Sequence, residues 1–298
     1  MQRRLEANWQ HHLLSAILRG QFMIAPDLAL GMGAQVASIL QSSDLYNNDF
    51  HSLSSIEVMA YEDDEEHDAE DLGEEGDKVI VLPVKGTMLK YGTLCSYGMN
   101  EIAFYIKHFA AKENVSAIVL DIDSGGGAVN AVPPLLEAIS FVKSLGKPIV
   151  AHCDMACSAA YWTASACDQI FSNNNVSSLF GSIGVMLSFL DMIPHYEAKG
   201  AKFHEVYADQ SSDKNQAFQK LLKGEYDQIR QEMLNPMAIQ FQDAVKSNRA
   251  GKLISDTAGI LSGATYSGSK SVEIGLADRV GTLKDAINYA SANAWART

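Results

Sequence analysis

The chain has 298 residues, of which 47% are hydrophobic and 20% are charged, so it can bury one large core or two modest ones. The net charge of −13 has a local origin, because eleven of the 36 acidic residues lie between Glu62 and Asp77. The other 25 acids nearly balance the 23 basic residues. This composition excludes a disordered tail, a collagen-like fibre and a small disulfide scaffold, and it lacks the basic stripe expected of a nucleic-acid-binding protein.

The cysteines and the N-terminus indicate where the protein works. Cys95, Cys153, Cys157 and Cys167 form no CxxC pair, so no metal site is predicted and we expect free thiols in a reducing compartment. The N-terminal apolar stretch is interrupted by charged and histidine residues, which is typical of an amphipathic helix and not of a secretory signal. No window holds the roughly 18 to 20 apolar residues that span a bilayer. We therefore expect a cytoplasmic protein without a membrane span.

The first 77 residues differ from the rest of the chain. Residues 1–61 are predicted to be helical with a turn near Pro26, because their apolar residues follow helical spacing. Residues 62–77 are too acidic to be buried and are predicted to form a mobile linker. A domain is therefore expected to begin at Lys78 and to run through residue 298.

From Lys78 onward the pattern alternates between short apolar strands and helices, which favours an α/β fold with a largely parallel sheet. A long amphipathic stretch follows residue 215, and Pro236 interrupts it, so two helices or one kinked helix are expected there. Strands are predicted at 79–86, 117–124, 148–153, 169–173 and 184–187, and helices at 99–111, 131–145 and 158–166.

The first motif that can carry chemistry is the glycine loop Asp123–Val129, with the sequence DSGGGAV, between a predicted strand and a helix. Three adjacent glycines let the backbone turn sharply and present bare N–H groups to a phosphate or an oxyanion. A phosphate is disfavoured because the nucleotide-binding pattern of three spaced glycines is not completed. A tight turn without a ligand is the alternative interpretation.

Ser158 follows the predicted strand PIVAHC and opens the segment SAAYW, so its hydroxyl lies where a nucleophile is exposed at a strand-to-helix junction. The N–H of Ala159 is then available to a substrate carbonyl. Serine is also a favoured N-cap, so simple capping explains the same residue equally well. The neighbouring Cys157 is interpreted as a core residue, because a thiol nucleophile needs a paired histidine.

Two further residues, Ser182 and Lys214, are candidate site residues only in combination with the motifs above. Ser182 lies between two glycines in GSIGV, which on its own is a glycine-rich turn. Lys214 lies in the polar stretch DQSSDKNQ, where a solvated surface lysine is the ordinary interpretation.

The order of these motifs resembles the signal peptide peptidase A family of serine peptidases, and in particular its phage and prophage head-maturation members. The motifs are DSGGGAV, SAAYW, GSIGV, a later lysine and GLADRVGT. The resemblance covers about residues 78–290 and implies a ClpP/crotonase-like fold of repeated ββα units. The family has proline where this chain has Gly125, which implies a more flexible loop.

The family resemblance also implies roles for individual residues. Ser158 matches the nucleophile, and Lys214 matches the general base, which follows a strand expected at 203–208. Ser182 matches the serine that orients the lysine. The N–H groups of Gly126, Gly127 and Ala159 would form the oxyanion hole. Lys220 and Lys223 are fallback positions for the base, since the sequence around Lys214 departs from the family pattern.

The sequence thus predicts a serine endopeptidase with a Ser/Lys dyad, without a cofactor or metal, acting as a homo-oligomer on capsid or scaffold proteins during phage head assembly. A soluble bacterial protease similar to signal peptide peptidase is the alternative within the family. A crotonase-like acyl-CoA enzyme and a non-catalytic assembly protein are alternatives from other classes. A Ser-His-Asp triad is disfavoured because no histidine occurs between Ala159 and Pro194.

Overall fold

A computed structural model describes residues 22–24, 58–62, 65–68, 77–92, 97–189, 191 and 193–295. Its centre is a nine-stranded sheet, and a separate two-stranded sheet lies beside it. The strands are β1 (Phe22–Ile24), β2 (Met59–Glu62), β3 (Glu65–Asp68), β4 (Lys78–Lys85), β5 (Val115–Ser124), β6 (Gly126–Ala128), β7 (Ile149–Cys157), β8 (Gln169–Ser172), β9 (Leu179–Gly181), β10 (Thr265–Ser267) and β11 (Arg279–Val280).

The large sheet is mostly parallel, which confirms the predicted fold class. Its strand order is β10-β9-β7-β5-β4-β2-β3, with β8 on β7 and β11 on β8. The pairs β4/β5, β5/β7, β7/β8, β7/β9 and β8/β11 are parallel. Antiparallel pairing is confined to the two ends, where β2 and β3 extend one edge and β10 extends the other. The succession β5, β6 and the following helix forms a ββα unit of the kind that the resemblance implies.

Helices cover both faces of the sheet. Ile80 and Leu82 of β4 belong to one apolar core, and the alternating Val79 and Val81 belong to the other, so the strand is apolar between its two terminal lysines. The helices are α1 (Met99–Ala110), α2 (Val132–Ser144), α3 (Ala159–Ser165), α4 (Ile193–Glu197), α5 (Gln216–Leu222), α6 (Asp227–Ile229), α7 (Asn235–Asn248), α8 (Gly268–Glu273) and α9 (Leu283–Trp295). The larger core lies under α1, α2 and α3, and the smaller lies under α9.

The central strand β7 forks at its carboxyl end. Its first part, through Cys153, pairs with β8, and its last part, from Met155, pairs with β9. Between these two parts the register with β5 shifts by one residue at Asp154. Such a bulge increases the local twist and redirects the strand. The fork brings β9, and the segment that follows it, alongside the end of β7.

Two expectations for the N-terminal region are wrong within the described residues. The helical prediction for 1–61 fails at 22–24 and at Met59–Glu62, which are strands, and the rest of that prediction lies outside the described residues. The predicted boundary at Lys78 fails because β2 pairs with β4, and Val58 and Ala60 contribute to the main core. The large sheet therefore begins before the acidic run. Short apolar segments are decided by their distant strand partners and not by local periodicity.

The mobile-linker prediction for 62–77 also needs correction where the structure describes it. Glu65–Asp68 is strand β3, which pairs with β2 at the edge of the large sheet. An edge strand tolerates many acidic residues because only one of its sides is paired.

Two strands predicted later in the chain are not formed. The strand predicted at 184–187 is absent, and the strand β9 ends just before it, at Gly181. Residues 203–208 have no regular secondary structure, and each of them is exposed. The interruption predicted near Pro236 is confirmed, since a π-helical turn at Arg230–Leu234 separates α6 from α7, and Pro236 lies at the start of α7.

Cys153 and Cys167 are buried free thiols, as predicted, and Cys157 is buried too, whereas Cys95 lies outside the described residues. Burial raises the pKa of Cys153 well above its usual range and that of Cys167 to about 12. Among the described residues, no helix combines the length and the apolar character that crossing a membrane requires.

Candidate active site

Ser158 lies directly after β7 and before α3 in a strained conformation, with φ 55° and ψ −120°. A positive φ costs a serine on the order of 1 to 3 kcal/mol and persists only where the surroundings enforce it. Here the Ser158 N–H donates to the carbonyl of Gly181 at 2.8 Å, and its carbonyl accepts from the Trp162 N–H at 3.0 Å. The junction therefore has the strand, sharp turn and helix of a nucleophile elbow.

The Ser158 hydroxyl is not used to cap the helix. It makes no capping hydrogen bond to α3, and within the described part of the chain it donates only to the carbonyl of Gly184, at a long 3.5 Å. The side chain is 1% exposed. Since an N-cap serine normally accepts from the second or third N–H of its helix, capping does not explain this residue.

Ser182 is the register neighbour of Ser158, because Cys157 pairs with Gly181 across β7 and β9. Ser182 also has a positive φ, 52°, and its N–H donates to the carbonyl of Ala264 at 2.8 Å. A methyl group on Gly181 would lie 2.4 Å from that same carbonyl oxygen. The GSIGV segment is thus held between Ser158 on one side and the GATYS segment on the other.

Two of the predicted site residues have a strained backbone. Among the described residues, three non-glycine residues have a positive φ, namely Ser158, Ser182 and Asn215. Asn215 lies in the left-handed region that asparagine readily adopts, so only the two serines are strained. Because such strain is typically retained at functional sites, it draws attention to the neighbourhood of Ser158 and Ser182.

The glycine loop lies beside Ser158 because β5 and β7 end together. Ser124 pairs with Ala156, so Gly126 and Ser158 each lie two residues beyond the paired ends. Strand β6 also packs against α3. The Ser124 hydroxyl donates to the carbonyl of Gly86 at 2.6 Å and accepts from the Gly126 N–H at 3.1 Å. Ser124 is a positioning residue that the sequence analysis did not select, although it lies within the motif.

The loop has no room for larger residues at its centre. A methyl group on Gly127 would lie 2.1 Å from the carbonyl oxygen of Met88. Met88 is bonded to both ends of β6: its N–H donates to the Gly126 carbonyl, and its carbonyl accepts from the Ala128 N–H, each at 2.9 Å. The Ala159 N–H, at the first position of α3, has no acceptor within its own helix.

The structure does not bring Lys214 to Ser158. Lys214 is exposed, and its N–H donates to the carbonyl of Ser211 at 3.1 Å in a turn after a short 3₁₀ helix. No hydrogen bond joins its side chain to Ser158 or Ser182 among the described residues. The two alternative lysines also show no contact with Ser158 among the described residues. Lys220 donates to Gln216 within its own helix, and Lys223 is exposed. The base therefore stays a prediction.

A cavity of about 560 Å³ lies beside the lysine-bearing turn, with Asp213 and Asn215 in its wall. Its lining is mainly apolar and joins the segment after GSIGV, at Leu187 and Phe189, to the helices that follow Lys214. A cavity of this size and character suits side chains of a bound peptide.

The GLADRVGT motif has a structural role. Asp278 accepts two hydrogen bonds from the buried Arg249, at 2.9 and 3.0 Å, one from Lys252 at 2.6 Å and one from the Ile170 N–H at 2.7 Å. Burial alone would raise the pKa of Asp278, but the Arg249 bonds hold it below its usual value. The Tyr161 hydroxyl donates to the Leu276 carbonyl at 2.9 Å, so the motif also supports the helix behind Ser158.

His152 is the histidine nearest to Ser158 along the chain, and it serves another purpose. It is buried on β7, where its Nδ1 lies 2.9 Å from Asp121, and Asp121 also bonds Lys85 at 2.6 Å. At about 3.3 Å per strand residue, the six positions between His152 and Ser158 separate them by roughly 20 Å. Within the described part of the chain, no cluster of three or more histidine, cysteine or acidic side chains could hold a metal.

The chain is similar to known proteases and phage head proteins. The chain is 29% identical over 216 residues to the head-tail preconnector protein GP5 of Enterobacteria phage P21, covering 70% of this chain and 42% of that protein. It is 28% identical over 221 residues to the capsid assembly protease C of Escherichia phage lambda, covering 70% and 48%. It is 26% identical over 219 residues to Protease 4 of Haemophilus influenzae, covering 72% and 34%.

The chain spans only about a third to a half of the length of these relatives. A solved structure, the 1510-N membrane-bound stomatin-specific protease, is 13% identical with a TM-score of 0.47 and covers 73% of this chain and 86% of that one. The model of peptidase family S49 matches residues 142–297, which include Ser158, Ser182 and Lys214. Because that match spans more than half of the chain, the protein belongs to peptidase family S49.

Proposed function

We propose that this chain is a serine endopeptidase with Ser158 as its nucleophile. The observation that carries the proposal is the strained junction at Ser158, whose hydroxyl does not cap α3 and which is followed by an N–H, that of Ala159, without an acceptor in its own helix. Nothing in the packing of a simple turn requires a positive φ at a serine. A nucleophile elbow requires it, because the turn must present the side chain to a substrate.

In the proposed reaction the Ser158 Oγ attacks the scissile carbonyl carbon while a base removes the hydroxyl proton. The resulting oxyanion would be held by the N–H of Ala159 together with that of Gly126 or Gly127. Collapse of this intermediate breaks the C–N bond, the amine leaves with the proton from the base, and water then hydrolyses the acyl-enzyme.

We propose Lys214 as that base, acting after its segment has moved towards Ser158. A lysine can accept a proton only when it is shielded from water. In the single chain its segment is exposed, and so are the apolar side chains of Phe203 (53% exposed) and Val206 (95%). A neighbouring copy of the chain that covered these side chains would also shield Lys214, which supports a homo-oligomer. Lys220 and Lys223 are the alternative bases, and either of them would act by the same Ser/Lys mechanism.

The proposed substrate is a capsid or scaffold protein in phage head assembly, in the host cytoplasm or the prohead. Two relatives support this choice, since one is named a capsid assembly protease and the other a head-tail preconnector protein. A bacterial protease similar to signal peptide peptidase is the alternative within the family. A crotonase-like acyl-CoA enzyme would turn over thioesters without needing an activated serine, and a non-catalytic assembly protein would be inert.

The decisive experiment replaces Ser158 with alanine in the full chain. Alanine keeps the Cβ and the same backbone strain, so folding should be unchanged while peptide hydrolysis falls at least about 1,000-fold. Ser144→Ala, on the solvent side of α2, is the matched control. Proteolysis of casein and of phage capsid protein, and labelling by a fluorophosphonate, are measured for each protein. Undiminished hydrolysis by Ser158→Ala would refute the proposed nucleophile.

A further inference from the structure

The glycine strand β6 is occupied on both of its edges. One edge is bonded to Met88 through the carbonyl of Gly126 and the N–H of Ala128. Because backbone groups alternate along a strand, the N–H and the carbonyl of Gly127 point to the opposite edge. That edge is paired in antiparallel register with β1, and Met23 lies directly opposite Gly127.

This edge is where an extended peptide would have to lie. Strand β6 lies within the glycine loop and packs against the helix that begins after Ser158. With the sequence Gly-Gly-Ala, it offers main-chain hydrogen bonds and almost no side chain, which is how a sheet edge accepts an added peptide strand. A substrate strand would use the same N–H and carbonyl of Gly127 that now face Met23.

We propose that residues 22–24 are a built-in competitor that occupies the peptide-binding edge of β6 and must leave before substrate binds. The inference rests on the proposed peptidase function. In this conformation β1 faces the N–H of Gly127, whereas the N–H of Gly126 donates to the Ser124 hydroxyl whether or not β1 is present.

The pairing has the properties of a replaceable contact. It is three residues long, and β1 pairs with no other strand among the described residues. More than 30 residues separate Ile24 from the first residue of β2, so β1 can leave while the large sheet stays intact. A tethered strand competes at a high effective concentration, even when each contact is weak.

Proline substitution tests the pairing, since it removes one backbone N–H. Met23→Pro deletes the N–H that faces Gly127, whereas Ile24→Pro deletes one that faces away from β6 and is the matched control. We expect the KM for a fluorogenic peptide to fall several-fold in Met23→Pro, with kcat within twofold of wild type. If the open form is about a tenth of the population in wild type, the change in KM approaches tenfold. Ile24→Pro should behave as wild type.

Two measurements test the pairing of β1 with β6 independently of catalysis. The Gly127 amide should exchange with solvent at least about tenfold faster in Met23→Pro than in wild type or Ile24→Pro. A synthetic peptide of residues 19–27 should bind several-fold more tightly to Ser158→Ala/Met23→Pro than to Ser158→Ala, and it should inhibit Met23→Pro competitively.

The inference is overturned if the exchange of the Gly127 amide and the binding of the peptide do not change in Met23→Pro. It is also overturned if Met23→Pro loses activity and stability together, because β1 would then be an ordinary structural strand. Failure of the proposed function would look different. It would show as wild-type protein that neither hydrolyses peptides nor reacts with a fluorophosphonate at Ser158, while exchange and peptide binding still report on β1.

Discussion

The most demanding test of the described packing is the replacement of Asp278 by asparagine. Asp278 is 6% exposed at its side chain and holds the fully buried Arg249 through two hydrogen bonds. The amide can still accept from the Ile170 N–H, so the shape is kept, but the negative charge is lost. Arg249 then remains a buried cation without its counter-charge. It keeps the bond to the Gly275 carbonyl at 2.9 Å, and the amide oxygen can accept only one of its two former bonds to residue 278.

The expected cost can be estimated from this geometry. Removing one partner of a buried ion pair costs about 3 to 5 kcal/mol, because the other charge stays desolvated. A domain of 150 to 250 residues loses about 2 to 4 °C in Tm per kcal/mol, so Asp278→Asn should melt about 6 to 20 °C below wild type. Asp243→Asn, which breaks an exposed pair with Lys246, is the control and should change stability by less than about 1 kcal/mol.

The same variant has a defined pH dependence. Since the Arg249 bonds lower the pKa of Asp278 below its ordinary value of 3.8, ionised Asp278 stabilises the fold above that value. Protonation removes this contribution as the pH falls through the lowered pKa. Urea unfolding should therefore show a constant difference between wild type and Asp278→Asn from pH 8 to 5 and a shrinking one below pH 3.8. A Tm within about 1 °C of the Asp243→Asn control would refute the reasoning.

Two predictions concern other parts of the molecule. The kcat/KM of Lys214→Arg should be as low as that of Lys214→Ala, because a guanidinium stays protonated and cannot serve as a base. Ser182→Ala should lower kcat/KM less. If Lys214→Arg is active, Lys214 is not the base. Cys153 and Cys167 should resist alkylation at pH 8 in the native protein, because burial raises the pKa of both thiols and the thiolate is the reactive form. Alkylation is measured by mass spectrometry. Rapid modification of both cysteines would contradict their burial.

Much of the candidate site could be predicted from local sequence. The strand before Ser158 is apolar and the residues after it are small, so a strand-to-helix junction follows from propensity and hydrophobic pattern. The glycines at 125–127 and the order of the motifs likewise need no tertiary information. Lys214 could not be placed in this way, since a polar stretch looks the same whether it lies at the surface of one chain or between two.

The sequence by itself determined the alternation of strands and helices, the burial of Cys153 and Cys157, and the strand-to-helix junction at Ser158. These properties depend on neighbours along the chain, which the hydrophobic pattern records. Only the tertiary structure decided the positive φ of Ser158, because the Gly181 carbonyl that holds it arrives on another strand. It also decided the pairing of residues 22–24 with β6, since backbone hydrogen bonds between distant segments leave no trace in local composition.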